Sequence, residues 1–337
     1  MSNPDEAHRG DRDTAATSNR SKARRLRDLL AHARPVVSPG VYDGYSVRLV
    51  EAMGFSTAAI TGSGLSNTRL VQPDIGIMSL LENVDACRDL ARSVAIPITA
   101  DADTGYGNAV TVYHTAQYFE EAGLAGINIE DQVSPKRCGH MRGKDVISTA
   151  EMCKKIEAAT RARKDADFVI NARTDSIAIG GIEEAVRRVK AYVAAGADMV
   201  YPDAIRSEDD IRRIVDAVPD TPVNVNMGFG IRSRPTSPLI ALRRLKELGV
   251  ARVSCPRMLT GAAVSGMRKA LEVMRQSIET GDAADRPDLV AGIEEITELM
   301  GYDRIAELEQ AFTLEDELAR RYGDAEREYV VRSKREP

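Results

Sequence analysis

The sequence predicts an α/β protein, a (β/α)8 TIM-type barrel followed by extra C-terminal helices. Three observations predict it. Between Val36 and Ser277 a short β-branched run, a loop and an amphipathic helix recur eight times; over about 250 residues that is the period of such a barrel. Most of the runs end in polar residues, as strands do when their C-terminal ends meet at one rim. Neither GxGxxG nor GxxxxGK[ST] occurs, so the alternative, a doubly wound open sheet, lacks the phosphate fingerprint it usually carries.

Residues 1–20 are polar and charged, with Asp5, Glu6, Arg9 and Asp11. No apolar stretch marks a signal peptide, the acids speak against a transit peptide, and a disordered tail is expected. Leu26, Leu29 and Leu30 predict a short helix after Ser21. The first strand begins at Val36-Val37 and leads into Pro39-Gly40-Val41-Tyr42-Asp43, with its helix over Ser46 to Met53. Thr57 to Thr61 is the second strand, and a long loop runs from Gly62 to Met78. The next helix opens at Ser79, where Glu82 completes a capping box. Ile96 to Asp101 is the third strand, with a helix from Val110 to Ala122, and Ala125 to Glu130 is the fourth. A second long loop ends at Ser148, where Glu151 completes another capping box.

The remaining units pair Phe168–Ala172 with Gly181–Ala194, Met199–Tyr201 with Ser207–Val218, Val223–Asn226 with Pro238–Leu248, and Ala251–Ser254 with Leu259–Ser277. Gly180-Gly181 has no Walker lysine and reads as a tight turn. Leu289–Met300 and Tyr302–Arg321 read as two further helices, and Asp324–Pro337 as a frayed charged end. The expected organisation is a tail over 1–20, the barrel with its N-terminal helix over 21–285, C-terminal helices over 286–322 and a charged tail over 323–337.

A hydrophobic content of 43% supports a large core, and with 4% aromatics and no Trp its packing must be aliphatic. A net charge of −5 speaks against a nucleic-acid surface. Cys87, Cys138, Cys153 and Cys255 form no CxxC pair, which argues against a disulfide framework or structural zinc and fits a reducing cytoplasm. No apolar run reaches the ~18 residues of a membrane span.

The barrel rule puts the chemistry where strands end. The ends are Thr61-Gly62-Ser63-Gly64, Asp101-Ala102-Asp103-Thr104-Gly105, Glu130-Asp131, Arg173-Thr174-Asp175, Asp203 and Asn226. Carboxylates among small neighbours, without a histidine, suit a hard cation such as Mg²⁺; equally, the DADTGYG stretch reads as a turn whose aspartates cap backbone amides. Arg173 offers a planar fork for a carboxylate, or a rim ion pair with Asp175 or Glu130. Thr61, Gly62 and Ser63 supply hydroxyls and NH groups to an anionic oxygen, or simply form a βα turn. Asn226 donates to a ligand or caps the next loop. On the long loop after strand four, Pro135-Lys136-Arg137-Cys138-Gly139-His140 sets a thiol among cations, which favour thiolates, beside a glycine that lets a loop approach a ligand. The same composition also fits a solvated basic turn.

These residues resemble the isocitrate lyase and phosphoenolpyruvate mutase superfamily over roughly Leu26 to Arg320. The carrying segments are PGVYDGYSVRLVEAMGF, TGSGLSNTRLVQPDIG, DADTGYGN, INIEDQVSPKRCGH, NARTD and YPDA. The KRCGH loop together with DADTGYG favours the lyase branch, with methylisocitrate lyases, 2,3-dimethylmalate lyases and oxaloacetate hydrolases. The resemblance implies that Asp101 and Asp103 hold Mg²⁺ (Mn²⁺ as a substitute), with Glu130 behind them and Asp74 nearby. It implies that Thr61, Gly62, Ser63 and Arg173 bind the α-oxyacid end of a small carboxylate substrate, and that Asn226 touches its outer substituent. Lys136, Cys138, Gly139 and His140 are implied to lie on a gating loop, with Cys138 as the catalytic acid. It further implies a cytoplasmic homo-oligomer, a dimer of dimers, whose C-terminal helices swap between subunits, with Leu308 to Ala319 as the exchanged segment. The activity implied is Mg²⁺-dependent cleavage of a 2-hydroxy acid to a 2-oxo acid and a carboxylate.

The chain departs from the family pattern in three places. Ala59 stands where methylisocitrate lyases carry a tyrosine, and Tyr42 is the candidate substitute. Asp203 replaces a glutamate. Asn226-Met227-Gly228-Phe229 replaces the Asn-x-Thr-Glu that reads an extra carboxylate, with Arg232 and Arg234 following. These changes favour a substrate of the 2-alkylmalate type. Oxaloacetate hydrolysis or decarboxylation, phosphonopyruvate-type mutase chemistry, and a lapsed barrel kept as a binding protein are the competing readings.

Overall fold

Eight parallel strands close on themselves, each followed by helix or loop on the outside. The computed structural model describes residues 20–32, 35–138, 143–229 and 236–323. Gly139, His140, Arg232, Arg234 and nearly all of both expected tails lie outside those residues. The chain divides into two compact units, residues 1–261 and 262–337.

In the first unit the strands are β1 (Val36–Val41), β2 (Ala58–Ile60), β3 (Ile98–Asp101), β4 (Gly126–Glu130), β5 (Val169–Thr174), β6 (Met199–Pro202), β7 (Asn224–Asn226) and β8 (Arg252–Cys255). They run in the order β6-β5-β4-β3-β2-β1-β8-β7. A single parallel bridge, Val200 to Val223, joins the two ends, supported by the Val200 amide donating to Pro222 at 3.1 Å. Buried strand residues such as Ile127, Ile129 and Ile170 pack against helix residues such as Phe119 and Ile156. A second apolar cluster fills the side around β6, β7 and β8. The helix α1 (Lys22–His32) plugs Leu26 and Leu30 against Ala125, Val169 and Met199 at the N-terminal ends of β4, β5 and β6. Burial of each leucine contributes about 1.5–3 kcal/mol.

The barrel interior also carries polar groups. Arg252 is fully buried, and its Nη2 donates to Ser38 Oγ and Thr99 Oγ1, both at 2.7 Å. Burial lowers its pKa to about 10, against the raising effect of Tyr201 and Asp101. Deeper in β4 and β5, Asn171 Nδ2 donates to Asn128 Oδ1 at 2.6 Å.

Several local expectations change. After α2 (Gly44–Ala52) and β2, the first part of the expected loop is helical: α3 (Gly62–Leu65) runs into a π-helical turn over Ser66–Leu70. The next helix α4 (Leu80–Arg92) has the predicted capping box complete. In contrast, Ser148 supplies only the forward half to α6 (Thr149–Ala162), accepting from Glu151 N at 3.1 Å; α5 (Ala109–Glu121) precedes it. Gly180-Gly181 is the expected break before the helix: Gly181 takes φ +75° and ψ −173°, separating a short helical stretch that begins at Ile177 from the helix that runs on to Ala194, the two together being α7 (Ile177–Ala194). The seventh helix shrinks to α9 (Leu242–Glu247), after α8 (Glu208–Ala217).

The long helix α10 (Met258–Thr280) follows β8. In the second unit, α11 (Ile293–Leu299) is followed by α12 (Tyr302–Phe312) and α13 (Glu315–Tyr322). One helix over Tyr302–Arg321 was expected. The chain turns extended at Thr313, with ψ 141°, although neither Gly nor Pro marks the break. No helix among the described residues is long and apolar enough to cross a membrane.

Candidate active site

The C-terminal ends of the strands form a cavity lined by Thr61, Ser63, Asp101, Lys136, Cys138 and Arg173, together with Asp74, Tyr201, Asp203, Asn226, Pro256 and Arg257. Two larger hollows, one beside Glu208 and Arg244 and one beside Tyr113 and Arg161, are open surface grooves away from the strand ends.

Asp101 ends β3. Its Oδ2 accepts the Gly62 amide at 3.1 Å and its Oδ1 accepts Asn128 Nδ2 at 2.7 Å, so Asn171, Asn128 and Asp101 form one chain. Two residues on, Asp103 adopts φ 46°, a left-handed conformation that aspartate tolerates better than most residues. Gly62 leaves open space beside both carboxylates. A Cβ there would stand 3.5 Å from Asp103 Oδ1 and 3.6 Å from Asp101 Oδ2, in the space the two carboxylates flank. Gly64 is tighter still, since its Cβ would come within 2.6 Å of Tyr42 Cβ and 2.9 Å of Thr61 Cγ2. Thr61 and Ser63 share a hydrogen bond of 3.0 Å.

Lys136 lies buried among the acids, 2.5 Å from Asp74 and 3.0 Å from Asp103. Burial disfavours its charge, but Asp103, Glu130 and Asp74 overcome that and raise its pKa. Burial raises Asp103 against the opposing pull of Lys136, with Asp74 adding to the rise. Burial likewise pushes Glu130 well up, opposed by Arg173 and Lys136. Glu130 accepts from Gln132 Nε2 at 3.1 Å, and Gln132 holds Arg137 at both its N and its O. These bonds tie the start of the cysteine loop to β4. Cys138 N donates to Asp74 O at 3.1 Å, and Arg257 Nη2 donates to Cys138 Sγ at 3.1 Å.

The opposite wall centres on Arg173. Its Nε and Nη2 fork onto Asp175 at 2.8 and 3.0 Å, Glu130 lies at 3.3 Å and Asp203 at 3.4 Å, and the guanidinium sits 5.3 Å from the Tyr201 ring centre. Lys144 adds a second buried cation, 2.8 Å from Asp175 and 3.6 Å from Asp203. Asn226 Nδ2 donates to Asp203 Oδ1 at 3.2 Å, and among the described residues Asn226 Oδ1 has no hydrogen-bond partner. Asp131, expected at the rim, faces outward from it. It accepts from Tyr192, Thr174, Arg188 and the Asp175 amide, and so braces β4 against β5.

Of the residues singled out in the sequence, the structure gathers Thr61, Ser63, Asp74, Asp101, Lys136, Cys138, Arg173 and Asn226 at one cavity. Gly62, Asp103 and Glu130 stand directly behind it, through Asp101, Lys136 and Arg173. Tyr42 packs in the apolar core beside Gly64 and does not line the cavity. Sequence reading missed Lys144, Tyr201 and Arg257. Tyr201 had a signal, because it shares a face with Asp203 two residues on.

Among the described residues, no three acid, histidine or cysteine side chains converge as a ready-made metal cage. Mg²⁺ does not need one, because it takes one or two carboxylates and keeps its waters. The oxygen donors of Asp101 and Asp103 on either side of the space at Gly62 fit such an ion.

A family model described as phosphoenolpyruvate phosphomutase matches residues 26–275. The chain is 36% identical over 291 residues to a 2,3-dimethylmalate lyase of Eubacterium barkeri, covering 86% of this chain and 98% of that one. It is 39% identical over 279 residues to a 2-methylisocitrate lyase of Aeropyrum pernix, covering 82% and 86%. Among solved structures, an oxaloacetate acetylhydrolase with the inhibitor 3,3-difluorooxalacetate superposes with TM-score 0.79 at 31% identity, covering 86% of this chain and 97% of that one. A phosphonopyruvate hydrolase with oxalate and Mg²⁺ superposes with TM-score 0.77 at 29% identity, covering 88% and 100%.

Proposed function

The chain belongs to the phosphoenolpyruvate mutase/isocitrate lyase superfamily, and from that premise we propose a divalent-metal-dependent carbon–carbon lyase that cleaves a 2-alkylmalate-type acid. The observation that carries this reading is the convergence of Asp101, Thr61, Ser63 and the Cys138 thiol on one cavity. Asp101 and Asp103 would hold Mg²⁺ or Mn²⁺, which when bound polarises the carboxylate and hydroxyl of a 2-hydroxy acid and eases loss of the hydroxyl proton. A neighbouring structure solved with oxalate and Mg²⁺ supports the choice of ion.

Thr61 and Ser63 hydroxyls and the backbone beside them orient the oxyacid end. Arg173 fixes the acidic wall behind it. As the C2–C3 bond breaks, its electron pair moves onto C3 and the hydroxyl oxygen becomes a carbonyl. Cys138 gives its proton to C3, and the loop around it keeps water from the carbanion. Lys136 and His140 belong to the same loop in this reading, and Gly139 lets it approach the substrate. A 2-alkylmalate is favoured over methylisocitrate because Phe229 packs against the apolar cluster and supplies no hydrogen bond at the position of the family's glutamate. We infer a cytoplasmic homo-oligomer as well, a dimer of dimers with exchanged C-terminal helices. Val264, Met267, Leu271, Met274 and Ile278 support it, forming an exposed stripe at heptad spacing on α10.

The test is metal-dependent release of a 2-oxo acid from 2,3-dimethylmalate, 2-methylisocitrate, oxaloacetate and phosphonopyruvate. 2,3-Dimethylmalate is expected to give pyruvate. Oxalate and acetate from oxaloacetate as the only turnover in the panel would establish the hydrolase reading instead. Cys138→Ser should lose at least about 100-fold in kcat, the lower range for a lost general acid. Full cleavage by that variant removes the thiol from the mechanism.

A further inference from the structure

We propose that Arg257 binds the second carboxylate of the substrate, the one on the carbon that Cys138 protonates, and so sets the preference for a dicarboxylate. The inference rests on the lyase reading above. It starts from charge pairing at the cavity. Lys136 is paired with Asp74 and Asp103, Lys144 with Asp175, and Arg173 forks onto Asp175. Arg257 lines the same cavity, half-buried, and among the described residues no carboxylate pairs with it. Neither 139–142 nor 230–235 contains an acidic residue. Among the described residues, Arg257 is therefore the cavity cation left open to an anionic ligand.

Its position says which anionic group it meets. Its Nη2 is 3.1 Å from Cys138 Sγ. A thiol that protonates C3 must face C3, and the second carboxylate is bonded to that carbon. The guanidinium beside the thiol is thus placed one bond beyond the reacting atom, with the rest of its planar fork available to a carboxylate. When the C2–C3 bond breaks, the electron pair spreads from C3 into this carboxylate. Charge grows on the oxygens that Arg257 holds, so the contact strengthens toward the transition state. The thiol proton then goes to C3, and the resulting thiolate remains beside the same cation. The hydroxyl proton passes to solvent, and the thiolate regains a proton from solvent once the products have left, so the cycle balances.

The experiment compares 2,3-dimethylmalate with its C4 monomethyl ester, following pyruvate release from both. The wild-type enzyme is expected to prefer the diacid. In Arg257→Met the diacid kcat/KM should fall roughly 10- to 150-fold, the range for losing hydrogen bonds to a charged group. The ester rate should change little, so the preference collapses. Arg257→Lys keeps the charge without the fork and should fall between. Because the two substrates are read in the same variant, a loss of folded protein lowers both rates and leaves their ratio intact. A ratio unchanged in Arg257→Met, with the wild-type enzyme active, overturns the role of Arg257 alone. A wild-type enzyme that cleaves none of the panel overturns the lyase reading and this inference with it.

Discussion

Replacing Lys144 by methionine keeps the length and apolar bulk of the side chain and deletes one buried ammonium. In the folded protein that ammonium sits 2.8 Å from Asp175 and 3.6 Å from Asp203, with only 4% of the side chain exposed. Removing one partner of a buried ion pair costs about 3–5 kcal/mol. Arg173 still pairs with Asp175 and Asp203, so the expected loss is at the low end, about 3 kcal/mol. The pH dependence sharpens the test. Burial alone would raise the Asp175 pKa, but Arg173 and Lys144 override it and hold it well below the usual carboxylate range. A folded-state pKa below the unfolded value of about 3.9 gives stability that is present above pH ~4 and lost as pH falls. For Lys144, burial would lower the pKa, but Asp175 and Asp203 raise it, so its contribution is present below pH ~10.4 and lost above. The deficit of the variant should therefore be flat from about pH 5 to 9 and shrink at either end. Urea unfolding at pH 7 and 9 reads the plateau directly. A deficit under about 1 kcal/mol at pH 7, or one that differs between pH 7 and 9, would refute the reasoning.

Two further perturbations probe the site. Gly64→Ala places a Cβ within 2.6 Å of Tyr42 Cβ, and overpacking of that kind costs about 1–3 kcal/mol. Because Thr61 is the other neighbour, kcat/KM should drop roughly 10- to 100-fold as the oxyacid contacts shift; unchanged kinetics would detach this turn from catalysis. Chelation with EDTA should abolish pyruvate release, and Mg²⁺ or Mn²⁺ should restore it. Asp103→Asn should raise the metal concentration required by roughly 10- to 100-fold, measured by titration with Mn²⁺ in the resonance spectrum, and an unshifted titration removes Asp103 from the metal site.

Much of the rim was legible because a barrel sorts polar residues by position. Asp101, Arg173, Asp203 and Asn226 each end or follow a run that alternates into the barrel, so one rule of topology collects them. What stayed hidden was set by direction and not by position. Arg257 follows Cys255-Pro256 and looks like any arginine opening a helix; only the folded chain brings it 119 residues back to Cys138. Lys144 reads as a loop lysine, yet its ammonium is enclosed by acids from β5 and the end of β6. Tyr42 was matched to the gap at Ala59 by type, but packing around Gly64 turns its ring into the core. The break at Thr313 had no proline or glycine to announce it.

The seam between β6 and β7 has a bearing on how this molecule breathes. Seven neighbouring strand pairs are laced by ladders, while this one is held by the Val200–Val223 bridge and the amide of Val200. Local opening follows the fewest buried hydrogen bonds, so amides on either side of the seam should exchange with solvent before those of β3 to β5. Asp203 and Asn226 sit directly above it, clasped by a bond of 3.2 Å. In the proposed reading, the wall that would meet the variable end of the substrate is thus mounted on the most sparsely laced part of the barrel, and the wall beside Asp101 on a fully laddered part. A scaffold divided in this way would hold the proposed reacting centre still while leaving the proposed selecting wall freer to adjust.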